Sequence, residues 1–293
     1  MPPISARYLK ISQEPHPPSL RRNAARLADI AHRKLFVMKI LVIGDVVGKK
    51  ALECLSKSLW SKRRELGADM AIVNGENASD IYGISADDAE LLISSGADLV
   101  TLGNHAFGRR DIYNMLCDSE AIIRPANYPP LAPGSGYTIL NINGWRVLGI
   151  NIAGTALMES LACPFATVDR ILERERGGYD IAVMDIHAES TSEKIALARY
   201  FDGRVSVMFG THTHVQTADE QILPAGSGYI TDVGMTGPTN GVIGSDAKAV
   251  IERMRTKISC RLTVADGPIQ MCGALFDVDT SSGKVKSVTR IKF

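Results

Sequence analysis

Short apolar runs of strand type alternate with helical stretches along most of this 293-residue chain. Strand-like runs occur at 39–44, 69–74, 98–102, 121–124, 181–186, 205–209 and 228–231, and helical stretches near 49–66, 85–96, 109–117, 165–177, 192–202 and 245–256. Strands that alternate with helices are typical of βαβ units, in which successive strands lie parallel. The alternation therefore predicts an α/β protein whose first part is built from parallel βα units.

Two later parts of the chain depart from this alternation. Residues 136–153 hold two apolar runs around Asn143-Gly144, which is a strong signal for a two-residue hairpin turn. The C-terminal stretches 259–265, 269–278 and 284–292 have the pattern of adjacent antiparallel strands. Parallel units followed by hairpins predict mixed sheets, and two such sheets packed together with helices outside would satisfy the pattern.

The first 37 residues differ in composition from the rest. They carry seven Lys and Arg residues against only Glu14 and Asp29, and they lack the continuous apolar core of a secretory signal. A complete strand-like pattern begins at Met38. We expect residues 38–293 to form one domain. Residues 1–37 are interpreted as a disordered or non-native upstream extension, with an organellar transit peptide as the alternative.

Composition excludes several classes of protein. The net charge is +1, so binding of bulk nucleic acid through overall charge is not expected. No apolar run approaches the roughly 18–20 residues of a membrane span, and no contact with a membrane is expected. The five cysteines are scattered and odd in number, which favours separate thiols and a cytoplasmic location.

Carboxylate, carboxamide or imidazole side chains follow five of the strand-like runs. They occur in Gly44-Asp45, Gly75-Glu76-Asn77, Gly103-Asn104-His105, Asp185-Ile186-His187 and Gly210-Thr211-His212-Thr213-His214. Open α/β sheets bind ligands beyond the carboxyl ends of their strands, so one crevice can collect all of these groups. Oxygen and nitrogen ligands suit hard and borderline divalent metals. The set predicts a metal-dependent hydrolase.

Each member of this set also has a plain structural interpretation. Asp45 is a typical turn or helix-cap residue, Glu76 a typical solvated turn residue, and a lone His187 is more often structural than functional. Taken together, the residues of the set indicate a metal site more specifically than any one of them does, because every histidine after Met38 belongs to the set. His212 and His214 are two residues apart and point to opposite faces of an extended segment, so they would reach two different ions.

A nucleotide-binding phosphate loop is not indicated. The segment Gly44-Asp45-Val46-Val47-Gly48-Lys49-Lys50 has three residues between its glycines and no Ser or Thr after the first lysine. A phosphate loop requires four intervening residues and a hydroxyl residue at that position. We therefore exclude a nucleoside triphosphatase of that type.

In their order along the chain, these motifs resemble those of the calcineurin-like metallophosphoesterases. The Glu in Gly75-Glu76-Asn77 narrows the resemblance to the YmdB-like branch, as do Arg124-Pro125-Ala126-Asn127-Tyr128-Pro129 and Thr231-Asp232-Val233-Gly234-Met235-Thr236-Gly237. Members of that branch are proposed to be 2′,3′-cyclic-nucleotide phosphodiesterases. The resemblance covers essentially all of 38–293 and implies a four-layer α/β/β/α sandwich with mixed sheets.

The resemblance also implies roles for individual residues. One metal would be bound by Asp45, Glu76, Asn77 and His214, and the second by Glu76, Asn104, His187 and His212, with Glu76 bridging the two. His105 would be the proton donor. Two departures from the wider superfamily stand out. The first motif reads Asp45-Val46-Val47 where many members have Asp-x-His, and Asn77 would take the place of the missing imidazole. In the second departure, Ala106 follows His105 where relatives often have an acidic residue.

The implied chemistry is hydrolysis of a small-molecule phosphodiester. Two metal ions per chain, of iron or manganese with zinc as an alternative, would hold a bridging hydroxide that attacks phosphorus while His105 protonates the leaving oxygen. Two other functions stay open from the sequence. One is a regulatory protein that senses a nucleotide or metal and acts through a partner, and the other is a phosphoesterase of different specificity. Assembly into a homo-oligomer also stays open.

Overall fold

The computed structural model describes residues 37–293, so residues 1–36 of the predicted extension lie outside the described residues, and Val37 already belongs to the first strand. The helices are α1 (Lys49–Leu66), α2 (Ala86–Ser94), α3 (Ile112–Asp118), α4 (Pro164–Arg174), α5 (Thr191–Phe201) and α6 (Ala247–Thr256). The strands are β1 (Val37–Ile43), β2 (Asp45–Val46), β3 (Met70–Asn74), β4 (Leu99–Thr101), β5 (Ile122–Ile123), β6 (Tyr137–Ile142), β7 (Trp145–Ala153), β8 (Ile181–His187), β9 (Val207–Thr211), β10 (Gln221–Ile222), β11 (Gly228–Ile230), β12 (Met235–Pro238), β13 (Ile269–Asp279) and β14 (Val285–Lys292).

These strands form two mixed sheets. The first has eight strands in the order β2-β12-β13-β1-β3-β4-β5, with β14 also paired to β13. Its β1, β3, β4 and β5 run parallel, whereas β13 is antiparallel to β1. The second sheet has six strands in the order β10-β11-β9-β8-β7-β6, parallel in the centre and antiparallel at both edges. The predicted combination of parallel units and hairpins is confirmed.

Three apolar cores separate four layers. In β1, Leu41 and Ile43 pack with Leu55 of α1 on one face. The intervening Ile40 packs on the other face with Phe209 of the second sheet. This alternation follows from the two-residue period of a strand. A third core lies between the second sheet and helices α4 and α5. The order helices, sheet, sheet, helices confirms the predicted four-layer α/β/β/α sandwich.

Local sequence signals explain several element boundaries. The Ser85 hydroxyl accepts the N–H of Asp88 at 3.2 Å and caps α2. Asn143 and Gly144 both have positive φ, 51° and 86°, as a tight turn of this length between β6 and β7 requires. The predicted hairpin over 136–153 is therefore confirmed. No helix among residues 37–293 is long and apolar enough to cross a membrane.

One predicted strand is wrong. Residues 259–265 do not form a strand; only Val264 makes an isolated bridge, to Ser245. This segment follows the exposed helix α6 at the surface, where no neighbouring strand edge runs alongside it. In contrast, β2, β10 and β12 were not predicted, because these strands of two to four residues do not lie in apolar runs of their own that turn residues separate from their neighbours. The pairing of β2 with β12 matters for function, because it fixes Asp45.

Candidate metal centre

The eight predicted site residues lie together at the carboxyl ends of strands from both sheets. Asp45 lies in β2, Glu76 and Asn77 follow β3, Asn104 and His105 follow β4, His187 ends β8, and His212 and His214 follow β9. Each is linked to another member of the set by a contact of 4.0 Å or less. The predicted convergence of these side chains is therefore observed.

Three potential ligand groups surround Nε2 of His187. This atom lies 3.0 Å from Oδ1 of Asn104 and 3.1 Å from Oε1 of Glu76. It also lies 3.1 Å from Nδ1 of His212. Glu76, His187 and His212 offer ligand atoms close enough together to hold one metal ion. Carboxylate and imidazole groups without a thiolate suit a divalent transition metal.

Asp45 and His214 form the other side of the cluster. Oδ1 of Asp45 lies 3.7 Å from Nε2 of His214 and 4.0 Å from Nδ1 of His187. Asp45 is fully buried, and within residues 37–293 its Oδ1 has no hydrogen-bond partner. Burial raises the pKa of this carboxyl to about 6. A buried polar atom without a partner is costly, and a cation next to Asp45 would remove that cost. The residues present therefore fit a divalent ion.

Asn77 connects the cluster to His105. Its Nδ2 donates to Oε1 of Glu76 at 3.2 Å, and its Oδ1 accepts a hydrogen bond from Nδ1 of His105 at 2.7 Å. The His105 side chain is 26% exposed, and the ring of Tyr82 meets it edge-on with 4.7 Å between centroids. His105 thus borders the cluster and also faces solvent.

The charged and titratable groups of the cluster act strongly on one another. Burial alone would raise the pKa of Glu76, but His187 and His105 outweigh it and hold the pKa well below its usual range. Burial opposes a charged His187, yet Glu76 and Asp45 raise the pKa of this imidazole to about 9. Burial and the neighbouring His187 lower the pKa of His212 to about 3. A bound metal would replace the proton on His187, since only the neutral imidazole is a ligand.

The backbone adopts uncommon conformations at two of the site histidines. His212 and His214 have φ values of 92° and 65°, in a region that non-glycine residues rarely occupy. The strained turn directs His212 toward His187 and His214 toward Asp45. Gly103 must lack a side chain, because a β-carbon there would overlap Nε2 of His187 and Oε2 of Glu76.

A buried ion pair supports the histidine turn and was missed by sequence reasoning. Nζ of Lys194 donates to Oδ2 of Asp232 at 2.8 Å, and both side chains are fully buried. The same carboxylate oxygen accepts the hydroxyl of Thr213 at 2.7 Å. Asp232 belongs to the 231–237 motif, which was a usable signal. Lys194 gave none, because a lysine on a helix usually faces solvent.

Other residues orient His187 and His212. Nδ1 of His187 lies 2.8 Å from the Thr211 hydroxyl, which in turn donates to Asp185 at 2.7 Å. Nε2 of His212 lies 3.1 Å from Oε2 of Glu189. Hydrogen bonds to the second ring nitrogen fix the tautomer of a metal-binding histidine. These partners were not predicted, because their contacts join separate strands and loops.

Comparison with known proteins places this fold and cluster in a family. The family model described as YmdB-like protein matches residues 41–291, which is most of the chain. The chain belongs to the YmdB-like family. It is 40% identical over 254 residues to the 2′,3′-cyclic-nucleotide 2′-phosphodiesterase of Bacillus subtilis (strain 168). That match covers 87% of this chain and 96% of the relative.

Solved structures agree with this YmdB-like assignment. A hypothetical protein from Thermus thermophilus superposes with a TM-score of 0.83 at 38% identity, covering 87% of this chain and 99% of that one. A phosphatase from Mycoplasma pneumoniae superposes with a TM-score of 0.83 at 31% identity, covering 88% and 94%. The predicted resemblance and fold are confirmed, as is the assignment to enzymes that hydrolyse phosphoric esters.

Proposed function

We propose that this YmdB-like chain hydrolyses 2′,3′-cyclic nucleotides at a centre of two divalent metal ions, with His105 as the general acid. The observation that carries the proposal is the convergence of oxygen and nitrogen donors around Glu76 and His187. The activity named for the Bacillus subtilis relative, at 40% identity, supports the choice of substrate.

The proposed ligand sets share Glu76. Asp45, Glu76, Asn77 and His214 would hold one ion, and Glu76, Asn104, His187 and His212 the other. The unpaired Oδ1 of Asp45 supports the first site. Iron or manganese suits these donors, with zinc as the alternative. When bound, two such ions would supply polarisation of the phosphoryl group and activation of water.

Neutral ligands keep the loaded site electropositive. Only Asp45 and Glu76 bring negative charge, whereas the amides and imidazoles bring none. The loaded site therefore attracts an anionic phosphodiester. Only two of the seven proposed ligands are carboxylates, so little negative charge repels it. Both carboxylates are buried, so their charges act on the site rather than on bulk solvent.

His105 is placed to deliver a proton. Asn77 Oδ1 only accepts hydrogen bonds, so Nδ1 of the neutral His105 ring carries the hydrogen, and Nε2 can transfer a proton only when the ring is protonated. Burial lowers the pKa of His105 although Glu76 opposes it, so the phosphate of a bound substrate would have to favour the protonated ring. Within residues 37–293, Nε2 of His105 has no hydrogen-bond partner. A substrate at the cluster would therefore find a proton donor beside its leaving ribose oxygen, as general acid catalysis requires.

A substrate panel tests this proposal. With Mn²⁺ or Fe²⁺ supplied, we expect hydrolysis of 2′,3′-cyclic nucleotides with kcat/KM at least about ten-fold above that for 3′,5′-cyclic nucleotides and for monoesters, which is about 1.4 kcal/mol of discrimination. The same panel after treatment with a chelator should show no turnover. Faster hydrolysis of a monoester would assign another phosphoesterase specificity, and no turnover of any ester would favour a sensing role.

A further inference from the structure

A cavity of about 410 Å³ opens beside His105. Its lining includes Asp80, Tyr82, Arg109, Arg253 and Arg261, and we call it the arginine cavity. Tyr82 lines this cavity, and its half-exposed ring meets the ring of His105 edge-on, so the cavity is adjacent to the candidate metal centre. A substrate whose reacting phosphate lies at the metal centre can therefore extend into the arginine cavity.

The charge of this cavity is strongly positive. It holds three guanidinium groups and one carboxylate, that of Asp80, although the whole chain carries a net charge of only +1. Basic groups crowded in a concave surface repel one another unless an anion lies between them. The local excess of positive charge is thus a property of the cavity and does not reflect the overall composition.

Among residues 37–293, two of the three arginines have no carboxylate partner, and the third has only a distant one. Within residues 37–293, Arg253 and Arg261 have no carboxylate within 4.0 Å, and Nε of Arg109 is buried without a hydrogen-bond acceptor. The nearest carboxylate oxygen to Arg109, on Asp111, lies 3.8 Å away. By contrast, Arg146 holds Asp180 at 2.7 Å. The unused donors of the cavity are therefore available to a ligand.

Packing fixes the walls of the cavity relative to His105. Gly83 has φ of 79° and lies so close to Arg109 that an added β-carbon would come within 3.0 Å of its Cγ. The chain before α6 is tied to the site, because Nδ1 of His214 donates to the carbonyl of Ile243 at 2.9 Å. Val264 forms an isolated β-bridge to Ser245, so the segment that carries Arg261 lies next to the chain that precedes α6.

We propose that the arginine cavity binds a second phosphate of the substrate, attached to the 5′ oxygen of the nucleoside whose 2′,3′-cyclic phosphate is hydrolysed. This inference rests on the proposed function and deepens it. Guanidinium groups recognise phosphate oxygens through paired N–H donors, and an unphosphorylated ribose offers them no anion. The preferred substrates are then 5′-phosphorylated cyclic nucleotides or the cyclic-phosphate ends of short RNA fragments.

The test compares three substrates: adenosine 2′,3′-cyclic phosphate, the same compound with a 5′-phosphate, and a diadenylate ending in a 2′,3′-cyclic phosphate. We expect the second phosphate to raise kcat/KM about 10- to 100-fold, mainly through KM, as charge-assisted hydrogen bonds do. Higher salt should reduce this preference, since the arginines are partly exposed. Faster turnover of the nucleotide or of the diadenylate supports the proposal in either case and identifies the source of the phosphate.

Substitutions inside and outside the cavity lining test whether its arginines cause the substrate preference. Arg109→Gln, Arg253→Gln and Arg261→Gln should each reduce the preference about ten-fold or bring it to unity. Arg110→Gln and Arg255→Gln are matched controls, because they lie on the same segments outside the cavity lining, and they should retain the wild-type preference. Equal kcat/KM for all three substrates, or a preference that none of the cavity variants changes, would overturn the inference. No turnover of any of them would instead overturn the proposed function.

Discussion

Replacing Glu76 by Gln is expected to lower kcat/KM for a cyclic nucleotide by about 10³-fold or more, because the several kcal/mol that bound metals supply depend on this carboxylate. Glu76 is buried at the centre of the cluster, where it contacts His187, Asn77 and His105. An amide has the same shape but no charge. We therefore expect Glu76→Gln to lose metal more readily than Asp45→Asn, which removes a ligand of only one ion.

Metal content and kinetics on the same preparations measure this effect. Glu53→Gln is the matched control, because it makes the same chemical change at an exposed residue of α1 that is not among the site residues. It should change kcat/KM far less. In the metal-free protein, Glu76→Gln should also lower the pKa of His187 from about 9, since burial then acts with less opposition. A Glu76→Gln protein with wild-type metal content and rate would contradict the assignment.

Replacing His105 by Ala should reduce kcat by about 10²–10⁴-fold, the usual contribution of general acid catalysis. The metals should remain, because His105 borders the cluster through Asn77 and is not among the proposed ligands. A substrate with p-nitrophenolate as its leaving group needs little protonation. The loss of rate for that substrate should accordingly be much smaller.

Three outcomes of the His105 experiment have different meanings. A large loss that is confined to poor leaving groups supports proton donation. An equal loss for activated and unactivated esters would indicate that His105 positions the phosphate instead. Loss of the metals in His105→Ala would show that the imidazole is a ligand and that the role proposed here is wrong.

The sequence predicted the layers and the site through local patterns. Strand periodicity and hairpin turns identified the elements that form the two sheets, and ligand-type residues at strand ends predicted the crevice. The positions of His105 and His187 followed directly, because each lies at or just after an apolar run that the sequence marks as a strand.

Other features depend on contacts between distant segments. The strand that holds Asp45 has two residues and exists because β12 pairs with it, nearly two hundred residues later. The ion pair of Lys194 with Asp232 joins a helix to a loop. The arginine cavity likewise combines a turn after β4 with the segment around α6. Periodic patterns in the sequence describe local structure only, so they do not predict these contacts between distant segments.

Counting metal ions per chain while activity is measured tests the central proposal most directly. Protein stripped with a chelator is titrated with Mn²⁺ or Fe²⁺, and metal content and turnover of a 2′,3′-cyclic nucleotide are determined at each step. The proposal predicts two bound ions per chain, as eight ligand positions from seven side chains imply, and full activity only when both sites are filled. A plateau at one ion or none, or turnover that persists without metal, would contradict it.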